Sequence, residues 1–322
     1  MKIGVIDIGG TKTIVSIISE DGEILASEKF ATEESDCFLH LAYSAGKLED
    51  LCRTQELEIK ELAGIGVNCN GLTDPVRGEL VYAPAKGWRQ IPVREYLYKK
   101  TGHDVIWVDN DVNACGLGEY YFGLGRDYRI SLWVTVSTGI GSAIVLDGNV
   151  LRGSTQMAGE LGHIKVACGP GSRSCSCGQT GCLEAYASGT AIANRVRELG
   201  AKEPEWLEEF RREGLQPDAY GCSMLAGRGD RKAAAIYEEA GRYLGRGLAS
   251  AVNLLNPDGI IIGGGVAASF HLMENAVREE MRKNVMAAIP MPDVAVTALG
   301  YEAAVYGAAA GVLHYLEGND KR

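Results

Sequence analysis

The stretch Lys2-Ile3-Gly4-Val5-Ile6-Asp7-Ile8-Gly9-Gly10-Thr11-Lys12-Thr13-Ile14-Val15-Ser16-Ile17-Ile18 opens the chain. A short apolar run ends around Asp7, two glycines turn the backbone, and a second apolar run comes back from Thr13 to Ile18. Short runs rich in Ile and Val, bounded by glycine, are the pattern of strands joined by a tight turn. The polar turn Glu20-Asp21-Gly22-Glu23 and the run Ile24 to Phe30 add a third strand. A dinucleotide-binding fold would open strand, turn, helix. This opening instead predicts a hairpin-led mixed sheet.

The same design recurs downstream. Ile130 to Val136 reads as a strand, Ser137-Thr138-Gly139-Ile140-Gly141-Ser142 as a turn, and Ala143 to Leu146 with Val150 as two further strands across Asp147-Gly148. Identity between the two halves is slight, so the repeat is one of pattern. Between them the spacing predicts a helix over 36–54, a buried strand at 63–68, a turn at Gly71 to Pro75, a helix at 93–101 and a strand at 105–108 that ends in Asp109-Asn110-Asp111. A helix follows from about 112 toward Gly123. Beyond the repeat, helices are expected over 184–198, 203–213, 230–255 and 270–286, strands at 259–262 and 294–298, and a last helix at 302–316. The expectation is an α/β protein of two domains, 1–112 and 113–301, with the boundary just after the acidic turn.

Composition narrows the function. Of 322 residues, 46% are apolar and 23% charged, which supports substantial cores and argues against disorder. The net charge of -10 argues against a nucleic-acid backbone as partner. It leaves anionic small molecules open, because backbone N–H groups hold phosphate without side-chain charge. No run approaches the roughly 20 apolar residues of a membrane span, and the chain opens directly into a strand rather than a leader, so the expected location is cytoplasmic.

Three glycine turns, each after an apolar strand, are candidate phosphate loops. In the first, Gly9 and Gly10 leave room for a phosphate, Thr11 and Lys12 add a hydroxyl and a cation, and Asp7 at the strand tip can hold Mg2+ through water. The spacing is not that of a Walker A loop. Thr138, Gly139 and Gly141 form the second, and Gly263, Gly264 and Gly265 the third, able to admit a nucleoside against bare backbone. Any one alone is equally an ordinary turn. At Asp109-Asn110-Asp111, a carboxylate at a strand end can take a proton from a substrate hydroxyl while Asn110 holds a neighbouring one. The segment equally fits an Asp/Asn helix cap, and spacing does not separate the two acids.

Four of the nine cysteines crowd between Cys168 and Cys182. Cys175, Cys177 and Cys182 can converge through Gly178 and Gly181, and His163 can close a tetrahedral Cys3His site suited to structural Zn2+. Cys168 competes for the fourth position, and a disulfide or redox pair is the alternative. Glu160 and Glu184 flank this loop. Carboxylates accept the hydroxyl hydrogens of a polyol, although each also fits a solvated helix-end acid.

These residues together resemble the ROK family of bacterial sugar kinases and related repressors, over nearly the whole chain. Asp7-Ile8-Gly9-Gly10-Thr11-Lys12 and Ser137-Thr138-Gly139-Ile140-Gly141 resemble its phosphate motifs. Glu160-Leu161-Gly162-His163 followed by Cys175-Ser176-Cys177-Gly178-Gln179-Thr180-Gly181-Cys182-Leu183-Glu184 resembles its specific signature. The resemblance implies a two-domain actin-like ATPase (ribonuclease H-like) fold with a cleft between the domains. It also implies that the C-terminal helix, 302–318, returns to complete the N-terminal domain, and that the protein is a dimer or tetramer. It implies ATP-dependent phosphorylation of a hexose, first the 6-hydroxyl of glucose, with N-acetylglucosamine, N-acetylmannosamine, fructose or a sugar sensor without turnover as alternatives. Asp111 corresponds to the base, and Asn110, Glu160, His163 and Glu184 to sugar-binding residues. Cys175, Cys177, Cys182 and His163 correspond to the zinc ligands, leaving Cys168 outside. The chain differs from the family pattern at Cys69-Asn70-Gly71, often Pro-Gly, and at Pro84-Ala85-Lys86-Gly87-Trp88, often Pro-Asn-Leu before Gly-Trp. The family's repressors carry an N-terminal helix-turn-helix module; here the first strand begins at residue 2, which favours the kinase expectation.

Overall fold

The computed structural model describes residues 1–33 and 36–318. Its first strands are β1 (Lys2–Ile8), β2 (Lys12–Ser19) and β3 (Ile24–Ala31), followed by α1 (Cys37–Thr54), β4 (Ile65–Cys69), β5 (Leu72–Asp74), β6 (Glu79–Ala83), β7 (Trp88–Ile91), α2 (Val93–Thr101), β8 (Ile106–Asn110) and α3 (Asp111–Phe122). Then come β9 (Ile130–Val136), β10 (Ile140–Leu146), β11 (Asn149–Val150), α4 (Glu184–Ala187), α5 (Gly189–Lys202), α6 (Pro204–Arg212), α7 (Ala219–Gly227), α8 (Arg231–Leu255), β12 (Gly259–Gly263), α9 (Glu274–Asn284), β13 (Asp293–Val296) and α10 (Ala303–Leu316). The fold is α/β, with mixed sheets flanked by helices.

One sheet runs β3-β2-β1-β4-β8, and a second runs β11-β10-β9-β12-β13, so the repeated pattern in the sequence becomes a repeated strand order. In the first sheet β1, β2 and β3 are antiparallel, and β4 and β8 join β1 in parallel. The parallel register sets Asp7 beside Asn68 and Asn68 beside Asp109. Three polar residues thus lie in a row near the carboxyl ends of the central strands, where α/β sheets present ligand-binding groups.

Alternation along β1 fills both faces of this sheet. Ile6 and Ile8 join Val15, Leu41, Leu48, Val67 and Val108 in one core. Ile3 and Val5 join Trp107, Leu117, Ala308 and Val312 in the other. Contacts divide the chain into two compact units, 1–131 with 143–158 and 297 onward, and 132–142 with 159–296. No described helix is long and apolar enough to cross a membrane.

Several elements differ from the sequence expectation. The turn expected at Gly71 to Pro75 is the start of a three-stranded sheet, β5-β6-β7. These strands are short and only partly buried, so they lack an apolar run to announce them. The helix expected over 184–198 breaks at Ser188, whose hydroxyl caps α5 by accepting from the Ala191 N–H. Helix α7 was not expected; it is short, carries Gly221 and Gly227, and is started by the Asp218 carboxylate. A 3-10 segment, Gly265–Leu272, precedes α9, which begins later than expected at Glu274.

Gly66 on β4 faces α10 so closely that a Cβ would lie 2.1 Å from the Ala308 carbonyl oxygen. Gly46 on α1 meets nothing within 4 Å. Gly66→Ala should therefore destabilise by about 1–3 kcal/mol or more through overpacking, whereas Gly46→Ala should stabilise by about 0.5–1 kcal/mol through helix propensity. Urea unfolding of both variants checks the opposite signs.

Candidate functional site

The structure separates the two acids that spacing left equivalent. Asp109 is fully buried and fully partnered. Its Oδ2 pairs with Arg152 Nη1 at 2.5 Å, and its Oδ1 accepts from the Asn110 N–H (2.7 Å), Thr73 Oγ1 (3.3 Å) and Asn113 Nδ2 (3.3 Å). Asp111 is the first residue of α3, and Asn110 is that helix's cap, accepting from the Asn113 N–H at 2.9 Å. Asp111 Oδ1 accepts from the Val112 N–H at 3.0 Å and Asn110 Nδ2 at 3.4 Å, and its Oδ2 accepts from Asn70 Nδ2 at 2.9 Å. A carboxylate offers about four acceptor positions, so roughly one remains, on Oδ2.

Burial raises the pKa of Asp111 above the ordinary carboxylate range, with bonds from Asn70 and Val112 pulling it back and the Asp109 charge adding to the rise. Asp7 is pushed up to about 7, chiefly by burial and then by the charge of Asp111. A cation beside Asp7 would reverse that shift.

The first glycine turn is closed by the Gly9 N–H on the Lys12 carbonyl at 3.0 Å, and Thr11 and Lys12 are exposed. Behind it runs a buried chain that sequence analysis missed. The Glu33 N–H donates to His40 Nδ1 (3.2 Å), which leaves the ring's hydrogen on Nε2. Nε2 then donates to Thr13 Oγ1 (2.8 Å), Thr13 to Thr32 Oγ1 (2.9 Å), and Thr32 to the Gly9 carbonyl (2.9 Å). Burial lowers the His40 pKa, which keeps the ring neutral and the chain in this direction.

In the second unit, His163, Cys175, Cys177 and Cys182 place one donor atom each within 4.8 Å of all the others. Cys177 and Cys182 sulfurs are 3.7 Å apart, and Cys175 Sγ is 3.7 Å from His163 Nδ1. Tetrahedral zinc with Zn–S bonds of about 2.3 Å would space two sulfurs by about 3.8 Å, so the donor set fits that ion. Lys165 Nζ lies 3.0 Å from Cys182 Sγ, a cation beside the thiol cluster. Cys168 is exposed and is not one of the four.

Glu184 joins this loop to the second glycine turn. Its Oε1 accepts from Ser176 Oγ at 2.8 Å, and its Oε2 accepts from the Ile140 N–H at 3.1 Å. A Cβ on residue 139 would sit 2.5 Å from that Oε2, so a side chain there would have to displace the Glu184 carboxylate. Glu160 Oε2 lies 3.7 Å from His163 Nε2, the ring nitrogen turned away from the sulfurs.

A cavity of about 790 Å3 opens in the same unit, within the range of small-molecule sites. Thr138 of the second turn and Gly265 of the third share its wall, as do Arg197, Tyr220 and His271. Gly141 lies inside β10 and Gly263 at the end of β12, where Trp133 packs on it; neither lines the cavity, and nor do Gly139 and Gly264. Arg197, Tyr220 and His271 had no sequence signal, since they stand on three separate elements, α5, α7 and the 3-10 segment after β12, and meet only in the fold.

Comparison with known proteins agrees with the fold and the motifs. The ROK family profile matches residues 3–314. A glucokinase of Streptomyces coelicolor is 32% identical over 316 residues, covering 96% of each chain. The crystal structure of a ROK family glucokinase from Streptomyces griseus, in complex with glucose and AMPPNP, superposes with a TM-score of 0.80 at 28% identity, covering 96% of this chain and 98% of that one. The DNA-binding transcriptional dual regulator NagC of Escherichia coli is 28% identical over 278 residues, 84% of this chain and 65% of NagC. The chain belongs to the ROK family, as a glucokinase-like member of the actin-like ATPase superfamily.

The two acids should behave differently in stability. Asp109→Asn leaves Arg152 buried without its partner and should cost about 3–5 kcal/mol. Asp111→Asn relieves a raised carboxylate and should stay within about 1 kcal/mol of the parent. Thermal and urea unfolding of the two variants at neutral pH separates them.

Proposed function

We propose that this protein is an ATP-dependent kinase that transfers the γ-phosphoryl group to a hexose hydroxyl, first the 6-hydroxyl of glucose. The observation that carries the proposal is Asp111, a carboxylate with one acceptor position left, fixed at the helix start after β8 and linked through Asn70 to the end of β1, where the Gly9-Gly10 turn begins. In this proposal Asp111 Oδ2 takes the proton from the sugar hydroxyl as it attacks. Asn110, Glu160, His163 and Glu184 hold the other hydroxyls. The N–H groups and side chains of Gly9, Gly10, Thr11 and Lys12, with Thr138 and Gly139, offset the charge of the phosphoryl group, and the cavity at Thr138 and Gly265 takes the nucleoside. Mg2+ near Asp7 would neutralise the phosphates when bound. The likeness to a glucokinase solved with glucose and AMPPNP supports both the acceptor and the donor.

We further propose that the Cys3His cluster holds structural zinc. Its role is to order the loop whose Ser176 grips Glu184 and whose His163 stands beside Glu160. Residue 163 then serves the metal through Nδ1 and presents Nε2 to the sugar.

The similarity to NagC favours a second reading, a sugar-responsive regulator without turnover. Sugar-dependent ADP release across glucose, N-acetylglucosamine, N-acetylmannosamine and fructose decides between them, and absence of turnover with every sugar would overturn the kinase proposal. With the favoured sugar, Asp111→Asn should lower kcat by about 100-fold or more while sugar affinity by calorimetry changes little; near-parental turnover would remove Asp111 from this role. Metal analysis should find one zinc per chain. Cys177→Ser should lose it and weaken sugar binding by about tenfold or more, and zinc-free protein with undiminished sugar affinity would refute the role of the clip.

A further inference from the structure

Asn70 stands in the short connection between β4 and β5 and is exposed, yet it is held at both ends. Its backbone N–H donates to the Ile8 carbonyl at 3.0 Å, at the residue before Gly9. Its side-chain amide donates to Asp111 Oδ2 at 2.9 Å. The opposite carboxylate oxygen is already held by the helix's own Val112 N–H. A carboxylate gripped on one oxygen alone can rotate about its terminal torsion, which is broad and soft; a second donor on the other oxygen stops that rotation.

We propose that Asn70 is a positioning residue for Asp111, clamping Oδ2 so that its remaining lone pair points in one direction and tying that direction to the end of β1 where the Gly9-Gly10 turn begins. The proposal rests on the kinase reading above, with Asp111 as base. The titratable groups facing Asp111 are Asp7 on β1, Cys69 on β4, Asp109 on β8 and Cys115 on α3. Both thiols are kept neutral by burial, and Asp109 is taken up by Arg152. Asn110 Nδ2 and the Val112 N–H both hold Oδ1, so the Asn70 amide is the donor that holds Oδ2 of the ionised Asp111.

The sign follows. Loss of a donor to the charged form raises the Asp111 pKa, so the fraction able to act as base falls at low pH. Asn70→Ala should move the acid limb of the kcat/KM profile upward by about one pH unit, with kcat lowered by about tenfold or more below that limb and sugar KM changed less than about twofold. Asn70→Asp, which substitutes a like charge, should move the limb further, and Asn70→Gln, which keeps the amide, should recover part of the loss. The carboxyl titration of Asp111 in the free protein, followed by 13C NMR in parent and Asn70→Ala, should shift in the same direction. An unmoved Asp111 titration together with an unmoved acid limb would overturn the proposal. Failure of the parent to release ADP with any sugar would sink the kinase reading alone, since the NMR titration would still report whether Asn70 holds Asp111.

Discussion

Three carboxylates, Asp7, Asp109 and Asp111, crowd the carboxyl ends of β1 and β8, and their burial, with their mutual repulsion added to it, is the constraint that the rest of this unit answers. Each answer is different. Asp109, with no exposure at all, is matched by Arg152 and three further donors, since a buried charge without a partner would be lost to protonation or unfolding. Asp7 answers by keeping its proton to about pH 7 when no cation is near. Asp111 stays available because the start of α3 and the Asn70 amide hold it from two sides. Between the first two acids β4 contributes a neutral residue, Asn68, whose amide donates to the Ala304 carbonyl at 2.5 Å. A third acid at that position would have no cation to answer it.

The second unit solves an opposite problem, how to hold a long irregular loop without a strand ladder. Between β11 and α4 the described backbone has only isolated bridges, Lys165 with Cys182 and Ser174 with Thr180, and one short 3-10 turn. Single backbone bonds, such as the Val166 N–H on the Gly181 carbonyl (2.9 Å) and the Cys175 N–H on the Gln179 carbonyl (2.8 Å), tie its turns together, and the donors of His163, Cys175, Cys177 and Cys182 converge on one point of it. The same segment delivers Ser176 to one oxygen of Glu184, while β10 delivers the Ile140 N–H to the other. Glu184 is therefore locked from two elements, and a side chain at residue 139 would have to displace its Oε2.

How much of this was legible in the sequence divides by range. The hairpin of β1 and β2, the glycine turns and the cysteine cluster are local, and their residue types state their geometry. Spacing located Asp109 and Asp111 without ranking them, and only the family resemblance pointed to Asp111, because their physical difference depends on Arg152, which reaches Asp109 from 43 residues away. The chain from His40 to Gly9 was invisible for the same reason: Thr13 on β2, Thr32 just past β3 and His40 on α1 become one network only when α1 folds over the sheet. Strands β5 to β7 escaped because they span only three to five residues and β6 and β7 show no strict alternation of burial. Of the third glycine turn, Gly265 lines the cavity and Gly263 receives Trp133, a difference set by packing that the run of glycines does not announce.

The buried chain behind Gly9 also shows how the backbone of the proposed phosphate turn is oriented by neutral groups. A backbone N–H binds an anion well only if the peptide is already oriented; otherwise the ordering entropy cancels the electrostatic gain. Thr32 holds the Gly9 carbonyl, Thr13 holds Thr32, and neutral His40 holds Thr13, so the peptide that follows Gly9 is oriented from its carbonyl side. A charged imidazole in the same place would bring a cation closer to the phosphates, but its Nδ1 could no longer accept from the Glu33 N–H, and the chain would break at its first link. Fixed dipoles rather than an added charge prepare this turn, which is consistent with phosphoryl transfer, where pre-oriented groups stabilise the charge in flight at no cost of reorganisation.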